Sequence, residues 1–516
     1  MTPDQSTSQW SADPAHPVHV SNLGGDQAAP HIVTTTSDDI FVAWFSNPPG
    51  RQNYDLRMQR FDARGNPQWE ENGRVISDHK SNSWISDFAF AKDADENLIV
   101  ALQDMRDGNS NLYAYKFTQD GDPPWGKDGI KLTDTEGFVG PFPSVVATPD
   151  YIILVWGQDE SDVMQLRLQK LTPDGKKLWG DDGLLMPGQS EAVSYMRAVM
   201  IPGGDDEIIL VYGEVKDPRS QMMAVYAQKL DKDGNSLWND GQPVLLHESV
   251  PFYTSPDVVS DGAGGAYVGW YTTDLMSFVQ HLDADGQLLM PAGGAPVAAS
   301  GQNLQLAPRL QFDPDKARLY VFWIATDRNQ NKKGLKAQAM SATGDLLWGD
   351  DGLTLIDLSS ADLDMVTPRL SGEHIVVFYA QGDASREVRG ERLLAMLLDS
   401  EGQSVWKQPA ILASAMTGKR DLVVDRIDDQ EWIAVWADDG GADNDRGSDI
   451  LMQNLPITHL TQLANPASVF CEEQGGKLEI RTGEDGGQDG FCVFEDGSEC
   501  EQWAFFRGEC KPGQQN

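Results

Sequence analysis

None of the first 470 residues of this 516-residue chain is a cysteine; all four, Cys471, Cys492, Cys500 and Cys510, lie near the C-terminus. They form no CxxC or Cys/His spacing, which excludes a zinc site of that kind. An even, clustered set reads instead as two disulfides of open connectivity, and so as a chain destined for an oxidising compartment. Long apolar runs are missing too, and nothing approaches the ~20 residues of a membrane-spanning helix. The opening "MTPDQSTSQW" lacks the charged-then-apolar layout of a secretory signal, so a secreted, periplasmic or cell-surface location implies a signal already trimmed. Basic residues are scarce: 40 Lys and Arg stand against 79 Asp and Glu, for a formal charge of −39. Such a surface repels nucleic acid and anionic lipid; it suits solubility in salty surroundings or attraction for cationic partners. There is no G-x-S-x-G elbow, no H-E-x-x-H, and the eight histidines keep no metal-ligand spacing.

What is abundant is glycine, 50 residues, beside 40% hydrophobic and 23% charged residues, the composition of a globular protein with many tight turns. One stretch recurs, as "QRFDARGNPQWEENG", "YKFTQDGDPPWGKDG", "QKLTPDGKKLWGDDG" and "QKLDKDGNSLWNDG", with three looser copies. Its glycines are Gly65, Gly121, Gly175, Gly234, Gly286, Gly344 and Gly402, a period near fifty residues that marks a propeller or array. Each unit carries a short apolar run such as "PHIVT", then a strand ending in an aromatic such as "IFVAW". An alternating strand such as "DLRMQRF" leads into the glycine turn, and a last segment such as "GRVIS" follows it. Four short strands per unit make one blade of a β-propeller.

The residue closing the second strand counts the blades: Trp44, Leu102, Trp156, Tyr212, Trp270, Trp323, Tyr379 and Trp436. The eighth unit has no glycine motif and stops at Pro456. Its missing outer strand is supplied by "SQWSADPAHPVHVSN", in which Trp10 precedes an apolar strand as Trp69 does in "PQWEENGRVISD". The expected fold class is therefore all-β, an eight-bladed propeller over residues 8–455 closed by the N-terminal strand, which removes exposed sheet edges.

Within the repeat, the Asp-Gly pair gives the tight turn and the tryptophan a face to pack between blades. Asp231, Asp233 and Asn235 invite a calcium reading, but the distal Glu of an EF-hand loop is absent and other copies carry Thr172, Ser341 or Ala342. The loop of the last blade, with Asp438, Asp439, Asp443 and Asp445, is the better candidate for calcium; no other cofactor is expected. The Gly-x-x-x-Trp spacing also resembles the docking motif of eight-bladed quinoprotein dehydrogenases. Those carry Ala and Asp where this chain has Gln169 and Leu171, and often a vicinal disulfide, so the resemblance implies blade packing without redox chemistry. The units as a whole resemble tandem-repeat propellers secreted by bacteria and archaea, whose functions vary.

In a propeller the loops after the second strands and those between blades share one end of the central channel, where ligand sites are built. The first set begins at Gln103-Asp104, Gln158-Asp159, Glu214, Asp274, Asp327, Gln381 and Asp438, which predicts an acidic end. Aligned starts of the innermost strands give His31, Asp87, Ser144, Arg197, Asp257, Arg309, Arg369 and Asp421. Arg197, Arg309 and Arg369 could clamp a carboxylate or sulfate with their planar forks. Alternatively they pair internally, Arg309 with Asp257 and Arg369 with Asp421. Inter-blade loops add Trp84, Phe138, Phe142, Phe252 and Tyr253 as stacking candidates.

After a linker at 456–464, residues 465–510 change in composition. "NPAS", Cys471, "GGKL", Gly490 with Cys492, "DGSECEQWAF" and "RGEC" resemble the small family called domain of unknown function 333, whose members are often labelled haemolysins and which no catalytic set defines. A segment this short buries little surface, so two disulfides are the expected compensation. A helical turn over Ser468–Gln474, a strand and a hairpin predict a small α+β module with Trp503, Phe505 and Phe506 as its core. The function these features imply is a binding or scaffolding protein whose loop face takes a protein or glycan partner. The rival is a lyase or hydrolase acting on anionic glycans at the channel mouth.

Overall fold

The computed structural model describes residues 8–457 apart from 12, 52, 82–86, 141, 161–162, 189, 191–192, 205, 218, 300–302, 385–389, 429 and 441–446. Beyond 457 it describes 471, 475–482, 488–494, 496–501, 504–505 and 510–513. Two compact units result, Met1–Leu455 and Pro456–Asn516. No helix among the described residues is long and apolar enough to cross a membrane.

The larger unit is built from antiparallel ladders of four strands. Ala89–Lys92, Leu98–Asp104, Asn111–Phe117 and Ile130–Lys131 form one such sheet, in sequence order. Six sheets of this kind are found among the described residues, beside one eight-stranded sheet. The latter is two four-stranded ladders, one from each end of the unit, joined by a short parallel pairing of Gly25 with Gly447 and Asp26 with Ser448. These are sheets of the propeller-blade type.

The second strands explain the packing. Leu98–Asp104 is buried along its whole length, because both faces of a middle strand are covered by neighbouring sheets, so polar alternation is lost. The aromatics that close these strands, Trp44, Trp156, Trp270, Trp323 and Trp436, are fully buried. Core clusters join adjacent ladders: Phe41, Met58 and Ile76 pack with Phe88, Val100 and Tyr115.

The repeated turn has a local cause. All seven of its glycines are left-handed, from φ 75° at Gly402 to 91° at Gly344, a region that other residues enter only at a cost. Three residues earlier a side-chain oxygen fixes the loop: Asp231 Oδ1 accepts the N–H groups of Asp233 and Asn235, both at 2.8 Å. In other copies Thr172 Oγ1 accepts from Lys176 at 2.9 Å and Ser341 Oγ from Asp345 at 3.0 Å. Any short oxygen-bearing side chain serves, which is why the copies interchange Asp, Thr and Ser. Partial burial opposes ionisation of Asp231, but the hydrogen bonds from Asn235 and Asp233 outweigh it and hold the carboxyl below its ordinary value.

The glutamine six residues before the glycine, noted in the sequence only as a mismatch, holds the tryptophan loop. Gln169 Oε1 accepts from the N–H groups of Lys170 and Trp179, and its Nε2 donates to Gly180 O at 2.7 Å. Gln59 and Gln338 do the same in their own units. The tryptophan then docks on the next ladder: Trp125 Nε1 donates to Pro173 O at 3.2 Å and Trp238 Nε1 to Ala284 O at 2.8 Å.

The same bond is made at the start of the chain. Trp10 Nε1 donates to Ala63 O at 2.8 Å, and a Cβ on Gly65 would lie 3.2 Å from its indole. Val18 and His19 pair antiparallel with Met452 and Leu451, and Val20 N donates to Ile450 O at 2.9 Å. The N-terminal segment is thus the outer strand of the last ladder, as its sequence predicted.

We expect Gly286→Ala to lower stability by about 1–2 kcal/mol, since it adds a left-handed penalty and places a Cβ 2.4 Å from Trp238 Cγ. Asp231→Ser will leave stability unchanged, because Ser341 already builds this turn. Chemical denaturation of the two variants checks both.

In the smaller unit Lys477–Thr482, Gln488–Val493 and Glu499–Glu501 form a three-stranded sheet. Cys471 is bonded to Cys492 and Cys500 to Cys510, pairings that spacing alone left open. Its core gathers both disulfides around Phe494 and Phe505, whose rings meet edge-on at 5.0 Å. Trp503, Phe506 and most of the expected helical turn at Ser468–Gln474 lie outside the described residues.

Candidate functional site

The innermost strands set the site. Opposite the residue before each closing aromatic stand His31, Ala89, Ser144, Val199, Asp257, Arg309, Thr367 and Val423. Four of the eight aligned strand starts hold this register. Asp87, Arg197 and Asp421 lie two residues before it and Arg369 two residues after. Arg197 and Asp421 open β-bulges: the ladder skips a residue pair beginning at each of them, as it does at Ala29, Ala307 and Met365. Each of these is left-handed, with φ between 48° and 58°. A bulge adds residues without changing the apolar pattern on either side, so alignment by hydrophobicity passes over it.

Two of the ring pairs are internal. His31 Nε2 lies 2.9 Å from Asp87 Oδ1, with its ring tilted on Phe88. Arg309 Nη1 lies 3.6 Å from Asp257 Oδ1, while Asp257 Oδ2 accepts the Leu310 N–H at 2.7 Å. Arg369 does not take Asp421 as its partner. Burial pushes its pKa down, against the attraction of Asp257 and Asp425, and its Nη1 donates to Pro368 O at 2.9 Å. Asp425 lies four residues further along the strand than Asp421, beyond the bulge in which Asp421 itself is exposed. Arg309 thus has a carboxylate already beside it, and Arg369 feels the charges of Asp257 and Asp425.

Arg197 is arranged differently. Its Nη1 donates to Ser255 Oγ at 3.3 Å and its guanidinium lies 5.5 Å from the centre of the Phe142 ring. Burial lowers its pKa, and no carboxylate among the described residues opposes that shift. On the two loops it touches, Phe142 is 45% exposed, Phe138 38% and Tyr253 57%, the exposed aromatics among the described residues. Phe252 is half-buried and meets Tyr253 edge-on at 6.0 Å. Trp84 lies outside the described residues.

The acids that open the loops are largely committed to neighbours. Asp104 accepts from Arg106 Nε at 3.0 Å, Glu214 pairs with Lys216 at 3.1 Å, and Asp327 Oδ1 accepts the N–H groups of Asn331 and Lys332. The calcium candidates behave likewise. Asp438 Oδ2 lies 3.1 Å from Lys419 Nζ and accepts from Trp436 Nε1 at 3.1 Å, while Oδ1 accepts the Gly440 N–H. Asp439 Oδ1 accepts the Gly418 N–H at 2.7 Å; Asp443 and Asp445 lie outside the described residues. Asp438 is therefore the anion of a buried ion pair, a role that the distant lysine hid from the sequence.

Comparison with known proteins adds one family. Residues 462–509 match Domain of unknown function (DUF333). No curated protein matches the chain. Among solved structures, a puromycin hydrolase is 12% identical over 95% of this chain and 61% of its own, with a TM-score of 0.43. The chain thus spans about three fifths of that protein's length. A polysaccharide lyase is 12% identical over 86% of this chain and 92% of its own, with a TM-score of 0.41. An alpha-L-arabinofuranosidase of Fusarium graminearum is 12% identical over 63% of this chain and 96% of its own, with a TM-score of 0.37. At this distance none of them brings an activity to the chain.

Proposed function

We propose that residues 8–455 form a closed eight-bladed propeller, linked through 456–464 to a separate module at 465–510. In this reading the protein is an extracytoplasmic binding or scaffolding protein that takes its partner at the loop end. Two disulfides support the oxidising location. The seam between the first and last ladders supports closure, since Asp26 accepts from both Tyr54 Oη and Ser448 Oγ there.

The observation that carries the reading is the exposure of Phe138, Phe142 and Tyr253 on the two inter-blade loops that Arg197 touches through Phe142 and Ser255. Exposed aromatics cost hydration free energy, and a cluster of them at one end marks a contact surface. We expect Phe142→Ala combined with Tyr253→Ala to abolish ligands seen for the unaltered protein on a glycan array and in pull-downs from the native extracellular fraction, with stability unchanged. Full retention of those ligands by the double variant would contradict the assignment of this end.

A further inference from the structure

We propose that the pair of loops around Arg197 forms a subsite for a carboxylated sugar residue, with the guanidinium taking the carboxylate and the Phe142 and Tyr253 rings covering the apolar faces of the pyranose. The inference rests on the loop-end reading above and names its ligand class.

The charge balance singles out Arg197. In a chain with 79 acidic and 40 basic residues, other arginines of these ladders stand beside acids: Arg106 with Asp104, Arg309 with Asp257, Arg420 with Asp26. Arg197 has a hydroxyl, a phenyl ring and no carboxylate among the described residues. A guanidinium half withdrawn from water without a counter-charge is an uncompensated cost that an incoming anion removes. The equivalent bulge positions hold Ala29, Ala307, Met365 and Asp421, so the bulge does not itself require an arginine.

The surroundings select the kind of anion. Flat exposed rings suit the C–H faces of a sugar, and Ser255 Oγ offers a polar contact for a ring hydroxyl. The formal charge of −39 repels a long polyanion, which favours a short acidic oligosaccharide or the end of a chain. A free carboxylate is thus read one residue at a time.

The test titrates the full chain calorimetrically with trigalacturonate, its methyl ester and a triglutamate peptide. Trigalacturonate is expected to bind, and the methyl ester at least tenfold more weakly. Arg197→Gln should lose the same tenfold, Arg197→Lys should recover part of it, and Phe142→Ala should weaken binding several-fold. Equal binding by Arg197→Gln, equal binding of triglutamate, or no binding of trigalacturonate would overturn the assignment. Hydrogen exchange of residues 137–142 and 252–255, with neutral oligosaccharides and peptides added to the panel, separates the two levels. Protection by one of those ligands and not by the uronate sinks the acidic-sugar inference and leaves the loop-end reading standing. Protection by nothing in the panel sinks both.

Discussion

Deleting residues 1–22 will leave a protein that aggregates on mild heating, and Trp10→Ala alone will lose about 3 kcal/mol. The second figure is at the lower end of the range for losing a large aromatic, because Trp10 is only half-buried. What it loses is the contact over Gly65 and the bond to Ala63 O. The deletion removes more. Pro14 O accepts the Ser414 N–H at 2.8 Å, and Ser11 O accepts from Gln453 Nε2 at 3.1 Å. Without them the strand Gly447–Pro456 becomes an edge, with the fully buried Ile450 and Met452 beside it, a template for pairing with other chains. Light scattering during thermal unfolding reads the aggregation and denaturant titration the single variant. A deletion protein that melts like the full chain would show that the segment contributes no strand.

Lys419→Met will cost about 3–5 kcal/mol, since it strands a buried carboxylate. Both partners are out of solvent, and Lys419 Nζ also donates to Ala415 O and Thr417 Oγ1. Replacing both ends, as Lys419→Met with Asp438→Leu, should recover most of the loss, because two apolar groups need no counter-charge. The pair also has a pH signature. Burial raises the Asp438 pKa, but the Lys419 charge and the hydrogen bonds from Thr417, Gly440 and Trp436 outweigh it and hold the carboxyl below its ordinary 3.8. The unfolded chain then takes up this proton first as pH falls. Stability from Asp438 is therefore complete above about pH 4 and is lost as pH drops through the folded value. Denaturant unfolding of the chain and of Asp438→Asn, followed from pH 7 to pH 3, should show the two converging in acid. A gap that widens in acid would contradict the pair.

The parts of this fold legible in the sequence are those with local causes. A left-handed turn needs glycine and a capping oxygen, and a docked indole needs the same offset each time, so Gly65 through Gly402 and Trp69 through Trp238 stand out by repetition. The second strands were legible because burial on both faces makes them apolar throughout. The innermost strands were legible only in part: Arg197 and Asp421 fall in bulges that leave no mark on the hydrophobic pattern. Partners brought together by packing were hidden as well. Arg369 is attracted by Asp425 and Asp257 and not by Asp421, and Lys419 faces Asp438 on the neighbouring strand. In the smaller unit Cys471 pairs with Cys492 because Gly476 leaves room for both sulfurs, 2.2 Å and 2.9 Å from where its Cβ would stand.

Closure of the ring by the N-terminal strand is the claim on which the loop end, its residues and its ligand depend. His19→Cys with Leu451→Cys places two thiols on facing residues of the paired strands, and mild oxidation of the dilute protein followed by peptide mass spectrometry reads the link. The account predicts a quantitative intramolecular disulfide between the peptides holding positions 19 and 451, with the native Cys471–Cys492 and Cys500–Cys510 bonds retained. Free thiols at both positions, or links formed only between molecules, would contradict it.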